Sequence, residues 1–332
     1  MLARLSLPLN FYMAIPRAAP FRVWGYRTGD YEVVMLPPEY TPEQPALAPA
    51  SITIDGEPAV LANVLRIDFR KDAFDRQSGT PFDPPTDLMV DAVSFLLSRL
   101  RHATQAPQVR LPGLPWHEWQ LEYTNDDGTP LQPESGLTRG HGATPLLSVS
   151  FVTLTPGVWS NLYDLPADYE PPPWETLLLD AVGELPNVGT AVVLSSTALE
   201  VFIATVLNQL AEHRKTPGRL WSWINQRPDY RQEPTVEEQY DVLLEIFTGH
   251  SLKEDSSLWS ALKNLKQARN RFVHEGVVRI GGDAVGAGKA AELVTAAKQI
   301  VAKIRDWLPD TIKWPAYESK AKVEVFSKTF PR

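Results

Sequence analysis

Hydrophobic and polar positions change rhythm about halfway along the chain. In the first half, short apolar runs sit between turn residues, the pattern of strands. Residues 21–26 and 31–36 flank Arg27-Thr28-Gly29-Asp30, which predicts a hairpin. Residues 51–55 and 64–69 predict two more strands, the first ending in a Gly56-Glu57-Pro58 turn, while 37–49 is too rich in proline for either element. Residues 86–102 differ: Leu88, Val93, Leu96, Leu97 and Leu100 recur at helical spacing, and Asp87 suits a first turn. Strands are predicted again over 108–111, 119–123 and 146–154, with Asn125-Asp126-Asp127-Gly128 turning the chain between two of them. Residues 1–164 thus read as a β-rich mixed α+β domain.

Residues 165–174 hold four prolines and two acids, a stiff, polar linker. Beyond it the period is helical. Segments 175–182, 188–212, 235–247, 256–276 and 284–308 predict four main helices and a short one. The third opens with Thr235-Val236-Glu237-Glu238, a capping-box pattern. An all-α, up-and-down bundle over 175–312 is expected, with connectors at 215–234 and 277–283. A tail over 313–332 carries one more candidate strand, 323–326. The fold class predicted for the whole chain is α+β.

A chain of 332 residues can bury two such cores. It has no Cys, which excludes disulfides and thiolate metal sites. The most apolar run, 191–210, is interrupted by Ser195, Ser196, Glu200 and Asn208, and so reads as a buried helix rather than a bilayer span. Residues 5–15 are apolar but broken by Pro8 and Asn10, a poor signal peptide. The cytoplasm is the expected compartment, with no membrane partner.

Charge is unevenly placed. Residues 1–170 carry 12 Lys+Arg against 20 Asp+Glu, whereas 171–332 carry 20 of each. A nucleic-acid binder is ordinarily basic, so any RNA contact here must rest on a local patch. The sequence offers one. Between Ser256 and His274 lie Lys263, Lys266, Arg269 and Arg271, with no Asp or Glu.

That stretch, SSLWSALKNLKQARNRFVHEG, is the chemically informative part of the chain. Leu258, Leu262, Leu265 and Phe272 form one apolar stripe, and Arg269 falls in phase with it. An Arg at a core-facing position is paired or lines a cleft. Glu200, the single charge within 191–210, is its expected partner. Asn270 and His274 share a face at i and i+4, where Asn270 can fix the imidazole tautomer. Cutting RNA without a metal takes a proton acceptor for the 2′-hydroxyl, a donor for the 5′-oxygen and cations for the phosphorane. His274 and Arg269 are residues of those types. They lie about 140° apart around the helix, so they flank a groove rather than stack. One chain also offers one His, where the reaction wants two; a two-fold pairing of such helices removes that shortfall.

Arg269-Asn270-Arg271-Phe272-Val273-His274, preceded by Leu258-Trp259-x-x-Leu262 and followed by Glu275-Gly276, resembles the signature helix of HEPN domains. The resemblance covers residues 174–307. It implies a HEPN-like bundle, a homodimer joining two signature helices, and an endoribonuclease with Arg269 and His274 as catalytic residues. Asn270 and Glu200 would support them, Arg271, Lys266 and Lys263 would contact RNA, and no cofactor or metal would be needed. It further implies a setting in anti-phage defence or toxin–antitoxin control, with a protein regulator as a partner class. The rival reading is a non-catalytic dimerisation or interaction module, or a nucleotide-binding sensor.

Other signals are weaker. The segment 281–290 (GGDAVGAGKA) has Asp283 and Ala290 where a phosphate-binding loop needs Gly and Ser/Thr, so it reads as a connector. His102, His117, His141, His213 and His250 show no metal-ligand spacing. Asp72, Asp75, Asp83, Asp87 and Asp91 lack the Gly and terminal Glu of a calcium loop.

Overall fold

The computed structural model describes residues 2–17, 20–38, 51–71, 84–110, 119–124, 130–131, 151–166, 169–185, 187–225, 233–314 and 323–326. The chain divides into two compact units, Met1–Glu170 with Tyr317–Arg332, and Pro171–Ala316. The α+β class holds, with an antiparallel sheet in the first unit and helices dominating the second.

The first unit is built on two long strands, β1 (Leu2–Pro16) and, later in the chain, its antiparallel partner Glu57–Lys71. Between them come β2 (Trp24–Thr28), β3 (Tyr31–Met35) and β4 (Ser51–Ile54), so Glu57–Lys71 is β5. Then follow α1 (Thr86–Thr104), β6 (Gln120–Thr124), β7 (Pro130–Leu131), β8 (Phe151–Thr153) and α2 (Pro156–Asp164). Leu5, Leu7, Leu9, Phe11 and Met13 of β1 join Leu65, Ile67 and Phe69 of β5 in one buried face. Val93, Leu96, Leu97 and Leu100 of α1 belong to the same core.

β1 takes in residues 5–15, read from the sequence only as an apolar run broken by Pro8 and Asn10, and Pro8 cannot donate to a ladder. The structure accommodates it at an irregularity. The β1–β5 register shifts between Pro8 and Met13, β6 pairs only with residues 2–6, and β8 pairs in parallel only with residues 12–14. Pro8 pairs with Val64 as the last position before the shift, and on its other edge neither β6 nor β8 pairs with it.

The predicted hairpin forms, and the next two predicted strands also pair as one. β2 and β3 close at Thr28↔Tyr31. β4 and β5 close at Ile54↔Glu57, so the turn is Asp55-Gly56, with φ of 52° and 85°, rather than Gly56-Glu57-Pro58. Two consecutive left-handed residues are what a two-residue hairpin asks for, and Asp-Gly supplies them at least cost. The strand expected at 108–111 is absent over 108–110. The chain leaves α1 through Gln105 in the left-handed conformation, and Val109 folds back on Ala106 into the core. Helix α2 was unpredicted; Thr155 caps it, with Pro156 at its first position. The predicted tail strand, Val323–Phe326, exists and pairs antiparallel with β4. Residue 111 and the turn at 125–129 lie outside the described residues, as do 39–49 and 146–150.

The second unit contains α3 (Pro173–Glu184), α4 (Val188–His213), α5 (Gly218–Asn225), α6 (Val236–Glu238), α7 (Leu244–Thr248), α8 (Ser256–Glu275) and α9 (Ala287–Trp307). A π-helical turn, Gln239–Leu243, fuses α6 and α7 into one segment, opened by the predicted Thr235–Glu238 capping box. α4 packs against α3, α8 and α9. Among the described residues it is long and apolar enough to cross a bilayer. Here its Phe202, Ile203, Val206 and Leu210 are buried in the helical core instead. Connector 215–234 contains α5, and connector 277–283 forms a small hairpin of Arg279–Ile280 with Asp283–Ala284.

Candidate functional site on helix α8

Helix α8 is fixed at both ends. Asp255 caps it, one carboxylate oxygen accepting from the Leu258 N–H (3.1 Å) and the other from Lys303 Nζ (3.1 Å). Gly276 stops it with φ of 71°. Between those ends Leu258, Leu262 and Leu265 of the predicted stripe are buried, Ala268 continues the buried line, and Phe272 is half-buried. Phe272 lies over Gly189 of α4 so closely that a Cβ there would stand 2.2 Å from the ring.

Arg269 is half-buried at the edge of this stripe. Its Nη1 donates to Asn270 Oδ1 (3.1 Å), and its Nε is buried with no hydrogen-bond partner among the described residues. The expected ion pair with Glu200 does not form. Glu200 instead accepts from Ser196 Oγ at 3.4 Å on its own helix. It also lies near Tyr240, whose hydroxyl donates to the Leu199 carbonyl (2.7 Å). Burial, and secondarily the Glu200 charge, push that phenol well above its ordinary pKa. The helix stagger explains the separation. Gly189 meets Phe272; Glu200 stands about 16 Å further along α4, while Arg269 is only about 5 Å along α8 from Phe272.

The outward side of α8 opens into a cleft of about 370 Å³. Lys263, Gln267, Asn270 and His274, at alternating intervals of four and three, line it from one helix face. Lys266, Arg271 and Glu275 line its flanks, and Glu237 enters from α6. His274 is exposed. Asn270 was expected to orient that imidazole, but its side-chain oxygen is taken by Arg269, and no hydrogen bond joins Asn270 to His274 among the described residues. Arg269 is not among the residues that line the cleft; its link to it is the hydrogen bond to Asn270, which does line it.

The basic residues expected to contact RNA are all in the cleft, but two carry a carboxylate. Lys266 Nζ is 2.9 Å from Glu237 Oε1, and Arg271 Nη1 is 2.7 and 3.0 Å from the two oxygens of Glu275. Lys263 stands 6.0 Å from the Trp259 ring centre instead. Three cations against two acids leave the lining mildly positive. Glu237 is the lining residue the sequence did not point to. The capping box places it in a first turn, but that this turn faces α8 is a tertiary fact.

The remaining candidates are structural. Gly281 and Gly282 form the hairpin turn, and Lys289 pairs with Glu292 in the first turn of α9. His102 is buried against the Tyr169 hydroxyl (2.9 Å), and His250 stacks on Trp307. His117 and His141 lie outside the described residues, as do Asp72, Asp75 and Asp83. Among the described residues no group of three or more acids and histidines is placed to hold a metal ion. No family model, curated protein or solved structure matches the chain.

Proposed function

We propose that the protein is an endoribonuclease whose own side chains perform the reaction, built on a HEPN-like bundle and working as a homodimer through α8. The observation that carries this reading is the state of Arg269. Its guanidinium has no carboxylate partner among the described residues and is held by Asn270 beside a cationic cleft containing an exposed His. A structural arginine would be neutralised by an acid, and the nearest acid predicted for that role faces elsewhere.

In the proposed reaction His274 of one chain accepts the proton of the RNA 2′-hydroxyl. The 2′-oxygen attacks the adjacent phosphorus, and the 5′-oxygen leaves with a proton from the His274 of a second copy. The products are a 2′,3′-cyclic phosphate and a 5′-hydroxyl. Arg269 stabilises charge on the non-bridging oxygens, and Lys263, Lys266 and Arg271 hold the flanking phosphates. The N-terminal unit selects the RNA, senses a trigger or binds a protein regulator, in defence or toxin–antitoxin control, in the cytoplasm. Labelled RNA incubated with chelator tests the reading: the wild type cuts, and His274→Ala does not while keeping its melting temperature. Equal cutting by both proteins would overturn it.

One feature favours a second reading, a non-catalytic interaction module. Val242 and Ile246, one turn apart on the α6–α7 segment, are 49% and 69% exposed. On that reading the same assay gives no cleavage by any variant.

A further inference from the structure

The cleft contains a carboxylate in the position of a ligand. Lys266 is the lining cation nearest α6, and Glu237 reaches across from that helix to contact it at 2.9 Å. Its neighbour Glu238 is not available for this. That carboxylate is committed to the capping box, accepting from the Thr235 N–H (2.7 Å) and hydroxyl (2.9 Å). Glu275 occupies Arg271 in the same way from within α8. Both pairs are solvent-accessible, so each is worth little to the fold and can be exchanged for another anion.

Resting on the ribonuclease reading, we infer that Glu237 is a specificity-determining residue that competes with phosphate for Lys266, so that the cleft takes strands of several phosphates and rejects single ones. A tethered carboxylate acts at high effective concentration, and a lone phosphate in solution competes poorly with it. A strand that has engaged Lys263 presents its next phosphate to Lys266 on a tether of its own. The competition then becomes even, and Glu237 yields. No Phe, Tyr or Trp lines the cleft among the described residues, so recognition falls mainly on the backbone rather than on stacked bases.

The test uses the full chain and a fluorescein-labelled 12-nucleotide single-stranded RNA, with adenosine monophosphate as the single-phosphate probe. Glu237→Gln is expected to bind the RNA roughly fivefold tighter and to bind adenosine monophosphate measurably where the wild type does not. Glu237→Gln placed on Lys266→Gln is expected to bring no gain, because the effect runs through Lys266. A gain of equal size in both backgrounds would mean diffuse charge repulsion and would overturn the inference, as would no gain in either. If the wild type cuts RNA but Glu237→Gln binds no tighter, this inference fails alone. If neither protein binds the RNA, the ribonuclease reading fails and takes the inference with it.

Discussion

Arg269 and Glu200 show how one side chain's partner decides between architecture and chemistry. Two charges breaking two apolar stripes invite pairing, yet Glu200 turns to Ser196 and Tyr240 while Arg269 turns to Asn270. Glu200→Gln should therefore leave RNA cleavage within about twofold of wild type, whereas Arg269→Ala should lower it by roughly a hundredfold or more, as loss of a transition-state donor does. Initial rates on one labelled RNA check both. In the first unit, Arg4 and Asp68 face each other across β1 and β5, with Arg4 Nε and Nη2 at 2.7 and 2.9 Å from the two carboxylate oxygens. Asp68 is buried, so Asp68→Asn should cost about 2 kcal/mol of stability in urea denaturation, much of it from the cation left behind.

At the scale of elements, the Phe272 ring seats where Gly189 of α4 leaves no room for a Cβ, close to the end of α8 that carries His274. Gly189→Ala puts a methyl into the ring; it should cost about 1–3 kcal/mol and weaken cleavage more than its distance from the cleft implies. The other end of α8 hangs on carboxylates. Asp241 is held below its ordinary pKa first by Lys253 and then by Ser251. Glu254 is lowered by the Ser251 N–H and then His250, and Asp255 by the Leu258 N–H and then Lys303. Depressed values mean that folding favours the charged forms. Their contribution is complete above the ordinary values of 3.8 and 4.5 and is lost as pH falls through the lowered ones. The melting temperature should thus decline steeply below about pH 4, and less steeply in Asp255→Asn. Elements of this kind were legible where periodicity and caps agree, as in α8 with its Gly276 stop and the segment opened by Thr235. β1 was not: its apolar run, broken by Pro8 and Asn10, reads only as a poor signal peptide, and its pairing with β5, β6 and β8 is a tertiary fact. For the same reason α8's stripe was readable while Glu237's approach was not: local pattern fixes which face a residue shares, and only packing fixes what stands opposite.

The molecule as a whole carries a net charge of −8, so on the ribonuclease proposal RNA affinity must come from one short basic face. Three cations line the cleft. If each neutralises one phosphate of a single strand, log affinity should fall against log salt with a slope of about −2 for a strand held by one copy and about −4 for one spanning both copies of the dimer. A slope steeper than about −4 would place the RNA on some wider surface. The central claim is that His274, which lines the cleft, and Arg269, bonded to the cleft residue Asn270, run the transesterification. The chemistry of the cut ends tests it most directly, read by mass spectrometry on RNA digested with chelator present. The account predicts 2′,3′-cyclic phosphate and 5′-hydroxyl ends from the wild type, and intact RNA from His274→Ala and Arg269→Ala. Ends bearing 5′-phosphate and 3′-hydroxyl, or the same products from either variant, would contradict it.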